Sequence, residues 1–269
     1  MDSRPIGVFD SGLGGLCAVK ELRTLLPDEK IIYFGDTGRI PYGTRSAETI
    51  KKYATQDVSF LLSNNVKMIL AACGTVSSVA LDYLKTFVTV PLFGVMEDAA
   101  ISAARTSRSG KVAVIGTDAT ISSGVFEKKL RQMGAETIGV ACPLFVSLVE
   151  CGFIDENDPC TLAACERYLS EIKDFGADTL ILGCTHFPII APAISKILPD
   201  VTLINPAKEA AKRIRQELTS RQWLSGETGS ADYYVSDRPN RFGDIARIFL
   251  GEEVQAEKIE IEKYSAQVE

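Results

Sequence analysis

The 269-residue sequence has a single histidine, a single tryptophan and no excess of basic residues. Its 29 Lys and Arg against 35 Asp and Glu give a net charge of -6. This balance argues against a general nucleic-acid binder, which needs a clustered basic face. The sequence has no apolar run of the roughly 18 residues that suggest a membrane-spanning helix, and residues 1–5 lead into a strand-like segment without a signal peptide's apolar core. We therefore expect a cytoplasmic protein with neither a membrane nor a nucleic-acid partner.

Cysteine is the reactive residue that the sequence does contain, in seven copies. Zinc-type Cys-x-x-Cys spacing and a disulfide framework are both missing, so the odd number of thiols suits a reducing cytosol. Cys73 and Cys184 each follow an apolar strand-like segment, and the two segments resemble each other. We interpret the remaining cysteines as packing or surface thiols: Cys17, Cys142, Cys151, Cys160 and Cys165.

Apolar strand-like segments and amphipathic helix-like segments alternate along nearly the whole chain. This alternation predicts an α/β fold with mainly parallel sheets that are covered by helices on both faces. The length is comfortable for two domains of about 100–150 residues each. Because the strand-then-cysteine pattern recurs, we expect two similar domains whose strand ends face one another. The pattern also predicts one helix over residues 75–85 and a closing strand over residues 259–261.

Polar and reactive side chains cluster at the ends of the predicted strands, where open α/β sheets bind their ligands. These segments are Asp10-Ser11, Asp36-Thr37, Cys73-Gly74-Thr75 and Cys184-Thr185-His186. A thiol at a helix N-terminus can have a lowered pKa, and Thr75 and Thr185 are candidate helix caps. Core packing is the alternative for a single buried cysteine. The matched pair, one member beside the sole histidine, favours a catalytic role.

Three further segments are ambiguous without their surroundings. The glycine loop lacks the third glycine of a dinucleotide fingerprint, since Cys17 stands at that position, and no Walker-type Lys follows. Its N–H groups could still hold a carboxylate. The alternative for Pro41-Tyr42-Gly43 is an ordinary turn, and the alternative for Glu150, in an apolar stretch, is a solvated helix edge.

Together, these motifs resemble those of the glutamate racemases, within the cofactor-independent aspartate/glutamate racemase superfamily. The matching segments are Phe9-Asp10-Ser11-Gly12-Leu13-Gly14-Gly15, Pro41-Tyr42-Gly43, Ala72-Cys73-Gly74-Thr75, Gly116-Thr117 with Thr120, Leu148-Val149-Glu150, and Gly183-Cys184-Thr185-His186-Phe187-Pro188. They occur in the order and with separations like those of the family. One position departs from its pattern, because Gly74 stands where the family usually has Asn.

The resemblance implies a two-base racemisation of glutamate that needs no cofactor and no metal. Cys73 would deprotonate D-glutamate with help from Asp10, and Cys184 would deprotonate L-glutamate with help from His186 and Glu150. The implied substrate-binding residues are Asp10, Ser11, Pro41, Tyr42, Gly43, Gly74, Thr75, Thr117, Thr120, Thr185 and His186. The product D-glutamate is a peptidoglycan precursor, which implies a role in cell-wall biogenesis.

By the same analogy, domain one comprises residues 1–94 plus 208–269, domain two comprises residues 95–207, and the active site lies in the interdomain cleft. We expect a homodimer. Two alternatives stay open: a racemase of a related acidic amino acid such as aspartate, or a glutamate-binding regulator that Gly74 has impaired as an enzyme. A Cys–His hydrolase is weaker, because the sequence shows no third group to orient His186.

Overall fold

The computed structural model describes residues 1–239 and 242–264, in which the strands form two parallel sheets. The strands are β1 (Ile6–Asp10), β2 (Ile31–Gly35), β3 (Met68–Ala71), β4 (Leu92–Gly94), β5 (Lys111–Gly116), β6 (Glu136–Ala141), β7 (Thr179–Leu182), β8 (Thr202–Ile204), β9 (Ala231–Val235) and β10 (Glu257–Lys258). The strand order is β10-β9-β2-β1-β3-β4 in one sheet and β6-β5-β7-β8 in the other. This confirms the predicted α/β class.

Helices connect the strands and cover the sheets. They are α1 (Leu16–Leu25), α2 (Ala47–Ser63), α3 (Gly74–Val79), α4 (Leu81–Leu84), α5 (Met96–Thr106), α6 (Asp118–Ser122), α7 (Val125–Gln132), α8 (Pro143–Glu150), α9 (Pro159–Phe175), α10 (Ala191–Ile197), α11 (Pro206–Ser220) and α12 (Phe242–Leu250). Short 3-10 helices span Tyr42–Thr44, Phe187–Ile190 and Ile261–Lys263. In residues 1–239 and 242–264, no helix combines the length and apolarity needed to cross a membrane.

Local sequence explains why these elements begin where they do. All residues of β1, β2, β3 and β7 are buried, as expected for parallel strands that are covered on both faces. Ser46 caps α2, as predicted, by accepting a hydrogen bond from the Thr49 N–H at 3.3 Å. Asn205 caps α11 in the same way through the Ala207 N–H at 3.0 Å.

Two predicted elements differ from the structure. The helix expected over residues 75–85 is divided at Ala80, where φ is -116°, into α3 and α4. The strand expected over residues 259–261 is wrong. The last strand is Glu257–Lys258, after which the chain turns and buries Ile261 in the core that includes Phe60.

The chain passes between the two sheets twice. It leaves the six-stranded sheet at Gly94 and begins α5 at Met96. It returns between Ile204, at the end of β8, and Pro206, at the start of α11. Helix α11 contacts both α1 and α5, so it joins the two halves. The boundaries at residues 94 and 208 stay a prediction, although the strands divide between the sheets in that way.

Candidate active site

A cavity of about 330 Å³ lies between the carboxyl ends of the strands of the two sheets. The predicted site residues that line it are Ser11, Pro41, Tyr42, Gly43, Cys73, Gly74, Thr75, Thr117, Thr120, Glu150, Cys184, Thr185 and His186. Asp10 lies behind this wall. Sequence analysis missed Pro143, Val146 and Ser147. The sequence does carry a signal for these three residues, because their spacing of three or four residues places them on the same face of α8 as Glu150.

Cys73 occupies one wall at the junction of β3 and α3. It is the N-cap residue of α3 and is buried, with 5% of its surface exposed. Its Sγ donates a hydrogen bond to Ser11 Oγ at 3.3 Å. Burial, together with the negative charge of Asp10, raises the pKa of the Cys73 thiol to about 12. Desolvation of the thiolate therefore outweighs the lowering of the pKa that a helix N-terminus can cause.

Asp10 lies at the end of β1, directly behind Cys73. Its side chain is fully enclosed, and Oδ2 accepts a hydrogen bond from the Gly12 N–H at 3.1 Å. Among the described residues, Oδ1 has no hydrogen-bond partner. Burial raises the pKa of Asp10, while the charge of His186 and the neighbouring backbone N–H groups oppose that increase. A carboxyl group in this setting can hold a proton close to the thiol.

Cys184 occupies the opposite wall, in the turn after β7. Its Sγ lies 3.8 Å from Nδ1 of His186, whose Nε2 is 3.0 Å from Glu150 Oε1. Burial alone would lower the pKa of His186, but its hydrogen bonds with Cys184 and Glu150 raise that pKa to about 10. These two hydrogen bonds favour the protonated form of the imidazole. Glu150, which the resemblance implies as a helper of Cys184 together with His186, therefore lies within hydrogen-bond distance of that histidine.

The glycine loop packs directly against Thr185 and His186, the two residues that follow Cys184. A Cβ atom on Gly14 would lie 2.7 Å from His186 Nδ1 and would overlap Thr185 Oγ1. Only a residue without a side chain allows this approach. The loop that sequence analysis tested as a nucleotide site thus brings the β1–α1 turn against the turn that carries Cys184.

The Pro41-Tyr42-Gly43 loop rests on a buried polar network. The Tyr42 hydroxyl donates to Asp36 and also lies 3.1 Å from Asp57 Oδ2. Arg39 donates to the same two carboxylates, at 2.7 Å and 3.1 Å. Burial and the proximity of Asp36 raise the pKa of Asp57. The hydroxyl of Tyr42 is therefore engaged by these two carboxylates.

A chain of threonine hydroxyls crosses the cleft. Thr75 Oγ1 lies 3.1 Å from Thr117 Oγ1, which lies 3.0 Å from Thr120 Oγ1. Thr117 is the N-cap of α6 and accepts from the Thr120 N–H. The prediction that Thr75 and Thr185 cap helices is wrong. Thr75 lies within α3, and His186, not Thr185, precedes the short helix Phe187–Ile190.

The arrangement suits proton transfer to and from a small anionic molecule. Two thiols from matching strand ends line one cavity, and a histidine whose pKa is raised lies beside one of them. Hydroxyls and backbone N–H groups at strand and helix ends can bind carboxylates.

The remaining cysteines are buried at positions 17, 142 and 165 and exposed at positions 151 and 160, which confirms the interpretation as packing or surface thiols.

Comparison with known proteins agrees with this chemistry. The model of the Asp/Glu/Hydantoin racemase family matches residues 17–214. The chain belongs to this family. The glutamate racemase of Chlorobaculum tepidum is 44% identical over 257 residues, which cover 93% of each sequence. Membership makes the chain a racemase, a type of isomerase.

Solved racemase structures share the whole fold. The glutamate racemase of Francisella tularensis in complex with D-glutamate has a TM-score of 0.91 at 39% identity, over 98% of this chain and 100% of that one. The glutamate racemase of Thermus thermophilus in complex with β-chloro-D-alanine has a TM-score of 0.89 at 40% identity, with the same coverage. The predicted resemblance is confirmed over nearly the full length of the chain.

Proposed function

We propose that this racemase interconverts L- and D-glutamate with Cys73 and Cys184 as its two bases. The observation that carries the proposal is the placement of the two thiols at matching strand ends on opposite walls of one cavity. Racemisation requires that a proton leave Cα on one face and that another arrive on the opposite face. Two sulfur atoms flanking the substrate provide both steps without moving it.

In the direction from D- to L-glutamate, Cys73 as thiolate takes the Cα proton, and the C–H electron pair passes into the α-carboxylate. Cys184 then donates its thiol proton to the other face of Cα. The reverse reaction exchanges the two roles, so each turnover leaves the thiol and the thiolate interchanged. Hydrogen-bond donors that surround the α-carboxylate stabilise the developing negative charge.

The surrounding residues divide between the two half-reactions. Asp10 lies beside Cys73, where its carboxyl can handle a proton and its charge disfavours the thiolate. His186 is oriented by Glu150 and places a positive charge beside Cys184. The groups proposed to bind the carboxylates and the ammonium of the substrate are Ser11, Pro41, Tyr42, Gly43, Gly74, Thr75, Thr117, Thr120, Thr185 and His186.

The substrate assignment rests on relatives at 40–44% identity that are glutamate racemases and on the D-glutamate complex of the Francisella enzyme. We further propose that the protein is a cytoplasmic homodimer without a cofactor or metal and supplies D-glutamate for peptidoglycan. A racemase of aspartate and an impaired glutamate-binding regulator are the alternatives.

The test is incubation with L-glutamate in D₂O, followed by optical rotation and by the NMR signal of the Cα proton. Both signals should decay, because the entering hydrogen comes from solvent-exchanged thiol. Aspartate racemised faster than glutamate would transfer the assignment to aspartate. Glutamate binding in calorimetry with no loss of the Cα proton would identify the impaired regulator instead.

A further inference from the structure

The ring of His186 has a further neighbour that the proposed mechanism does not use. Cys184 lies beside Nδ1 and Glu150 beside Nε2, and the backbone of Gly14 packs against the same ring. The further neighbour is Phe249, whose ring centroid lies 5.4 Å from that of His186, with the two planes at 87°. Aromatic rings at this distance and angle form an edge-to-face contact, which depends on ring orientation as well as on buried area.

Phe249 reaches this ring from α12 and is completely buried. It shares one face of the helix with the buried Phe242 and Ala246, at the spacing of an amphipathic helix. Helix α12 packs against α1. It follows β9 of the six-stranded sheet, whereas His186 follows β7 of the four-stranded sheet. The contact between the two rings therefore joins the two halves of the molecule behind the Cys184 wall.

The plane of the His186 ring decides whether both of its nitrogen atoms reach their partners. The torsion that turns a histidine ring is soft, because a bond between sp³ and sp² carbons has broad minima. Turning the ring would move Nδ1 away from Cys184 and Nε2 away from Glu150 at the same time. The 3.8 Å between Nδ1 and Cys184 Sγ is a long contact, and only 7% of His186 is exposed. Packing against neighbouring side chains must therefore contribute to holding the ring.

We propose that Phe249 is a positioning residue for the Cys184 half-reaction, because its ring holds the imidazole of His186 in the plane that serves both Cys184 and Glu150. The proposal rests on the proposed function, since His186 assists Cys184 only if that thiol acts on the substrate. Phe249 lies outside the lining of the cavity, so it acts through His186. The half-reaction at Cys73, on the opposite wall, should not depend on it.

The first test introduces Phe249→Leu into two single-thiol variants, since Leu keeps an apolar side chain but has no ring. In Cys73→Ser, which retains Cys184, we expect the substitution to slow exchange of the Cα proton of L-glutamate about 10-fold. This is part of the about 100- to 10,000-fold that a positioned acid–base group contributes. In Cys184→Ser, exchange of the Cα proton of D-glutamate should be unchanged. NMR in D₂O measures both rates.

Phe242→Leu is the matched control, because it removes the other phenylalanine ring that α12 buries. Phe242 is 1% exposed and packs against Tyr233, with ring centroids 5.7 Å apart. We expect both Leu variants to have a lower melting temperature, whereas Phe242→Leu should leave proton exchange unchanged in both single-thiol variants. The comparison separates lost stability of α12 from lost positioning of His186.

A second measurement observes the ring itself, because His186 is the only histidine in the chain. Protein labelled with ¹⁵N-histidine therefore gives the imidazole signals of one residue. In the wild type and in Phe242→Leu, the Nε2–H proton that faces Glu150 should exchange slowly with water, because the ring is held. In Phe249→Leu the same signal should broaden or disappear, because a mobile ring exposes its N–H group to water.

Equal slowing of both exchange reactions by Phe249→Leu overturns the positioning proposal, since it indicates a general loss of stability. Unchanged exchange of L-glutamate or an unchanged histidine spectrum in this variant also overturns it. If Phe249→Leu does not fold, the wild-type spectrum still decides, because rapid exchange of the Nε2–H proton excludes a held ring. If the wild type does not racemise glutamate, the proposed function fails by itself, and the histidine spectra of the two Leu variants still test the role of Phe249.

Discussion

The two walls of the cleft offer the same reactive group in opposite electrostatic surroundings. On one wall, burial and the Asp10 carboxylate raise the pKa of Cys73 to about 12. On the other wall, Cys184 lies 3.8 Å from Nδ1 of a histidine whose own pKa is raised to about 10. Both cysteines follow a buried parallel strand. The two strands therefore position the sulfur atoms, and residues from elsewhere in the chain determine the electrostatic surroundings of each sulfur.

This difference concerns the Cys73 thiol on one wall and the His186 imidazole on the other. Burial and the Asp10 carboxylate favour the neutral thiol at Cys73, whereas hydrogen bonds with Cys184 and Glu150 favour the protonated form of His186. The following predictions test this asymmetry.

The largest effect is expected from Cys73→Ser and Cys184→Ser. Each should lower racemisation by about 100- to 10,000-fold, which is the contribution of a positioned acid–base group. The remaining thiol can still remove and return a proton on its own face. We therefore expect Cys184→Ser to exchange the Cα proton of D-glutamate alone, and Cys73→Ser that of L-glutamate alone, as followed by NMR in D₂O.

Cys160→Ser is the control for these variants, since Cys160 is exposed on α9 and outside the cavity. It should retain full activity. Exchange of both enantiomers by either single-thiol variant would contradict the assignment of one thiol to each face.

A smaller effect is expected from Glu150→Gln, which removes the anion from His186. Loss of that partner lowers the pKa of the imidazolium, since an opposite charge no longer stabilises its protonated form. The decline of the rate at alkaline pH should consequently begin at a lower pH, and kcat at pH 8 should fall roughly tenfold. A pH–rate profile that keeps its alkaline limb would show that His186 does not act as a cation.

Asp10→Asn tests the other wall. Removing the negative charge should lower the pKa of Cys73, so iodoacetamide should alkylate this thiol a few-fold faster at pH 8. Peptide mapping measures the rate separately for each cysteine, and Cys160 provides the internal reference. If Cys73 reacts at the same rate or more slowly, Asp10 does not contribute to the raised pKa of the thiol.

Tyr42→Phe should have the smallest effect on activity, because its hydroxyl faces the buried carboxylates of Asp36 and Asp57. The loss of this donor should lower the free energy of unfolding by about 1–3 kcal/mol, measured by urea denaturation. Tyr53→Phe keeps the packing of its ring against Tyr42 and should change stability by less than about 0.5 kcal/mol. Equal losses in the two variants would argue against the network as the support of this loop.

Much of the fold was predictable from the sequence, because buried parallel strands are continuous apolar runs and their carboxyl ends meet at one edge. The hydrophobic pattern did not predict β6, because Gly139 interrupts this partly exposed strand, or β4, because it has only three residues. The pairing of β9 with β2 joins segments about 200 residues apart, which local periodicity cannot indicate.

The residues that line the site were predictable from the sequence, whereas their pKa values and orientations were less so. The matched cysteines stand out because each follows an apolar strand. The raised pKa of Cys73 depends on Asp10 in another strand, and the orientation of His186 depends on Glu150, 36 residues earlier. The contact between Thr75 and Thr117 crosses between the two sheets. Such long-range neighbours follow from tertiary packing.

The strand order also has a consequence for how the chain is synthesised. Strand β2 lies between β1 and β9, so one of its edges is unpaired until residues 231–235 have left the ribosome. The strands of the four-stranded sheet are all complete by residue 204, and that sheet can form first. A nascent polypeptide therefore passes through a long stage with an open hydrophobic strand edge, the situation in which chaperones protect growing proteins from association.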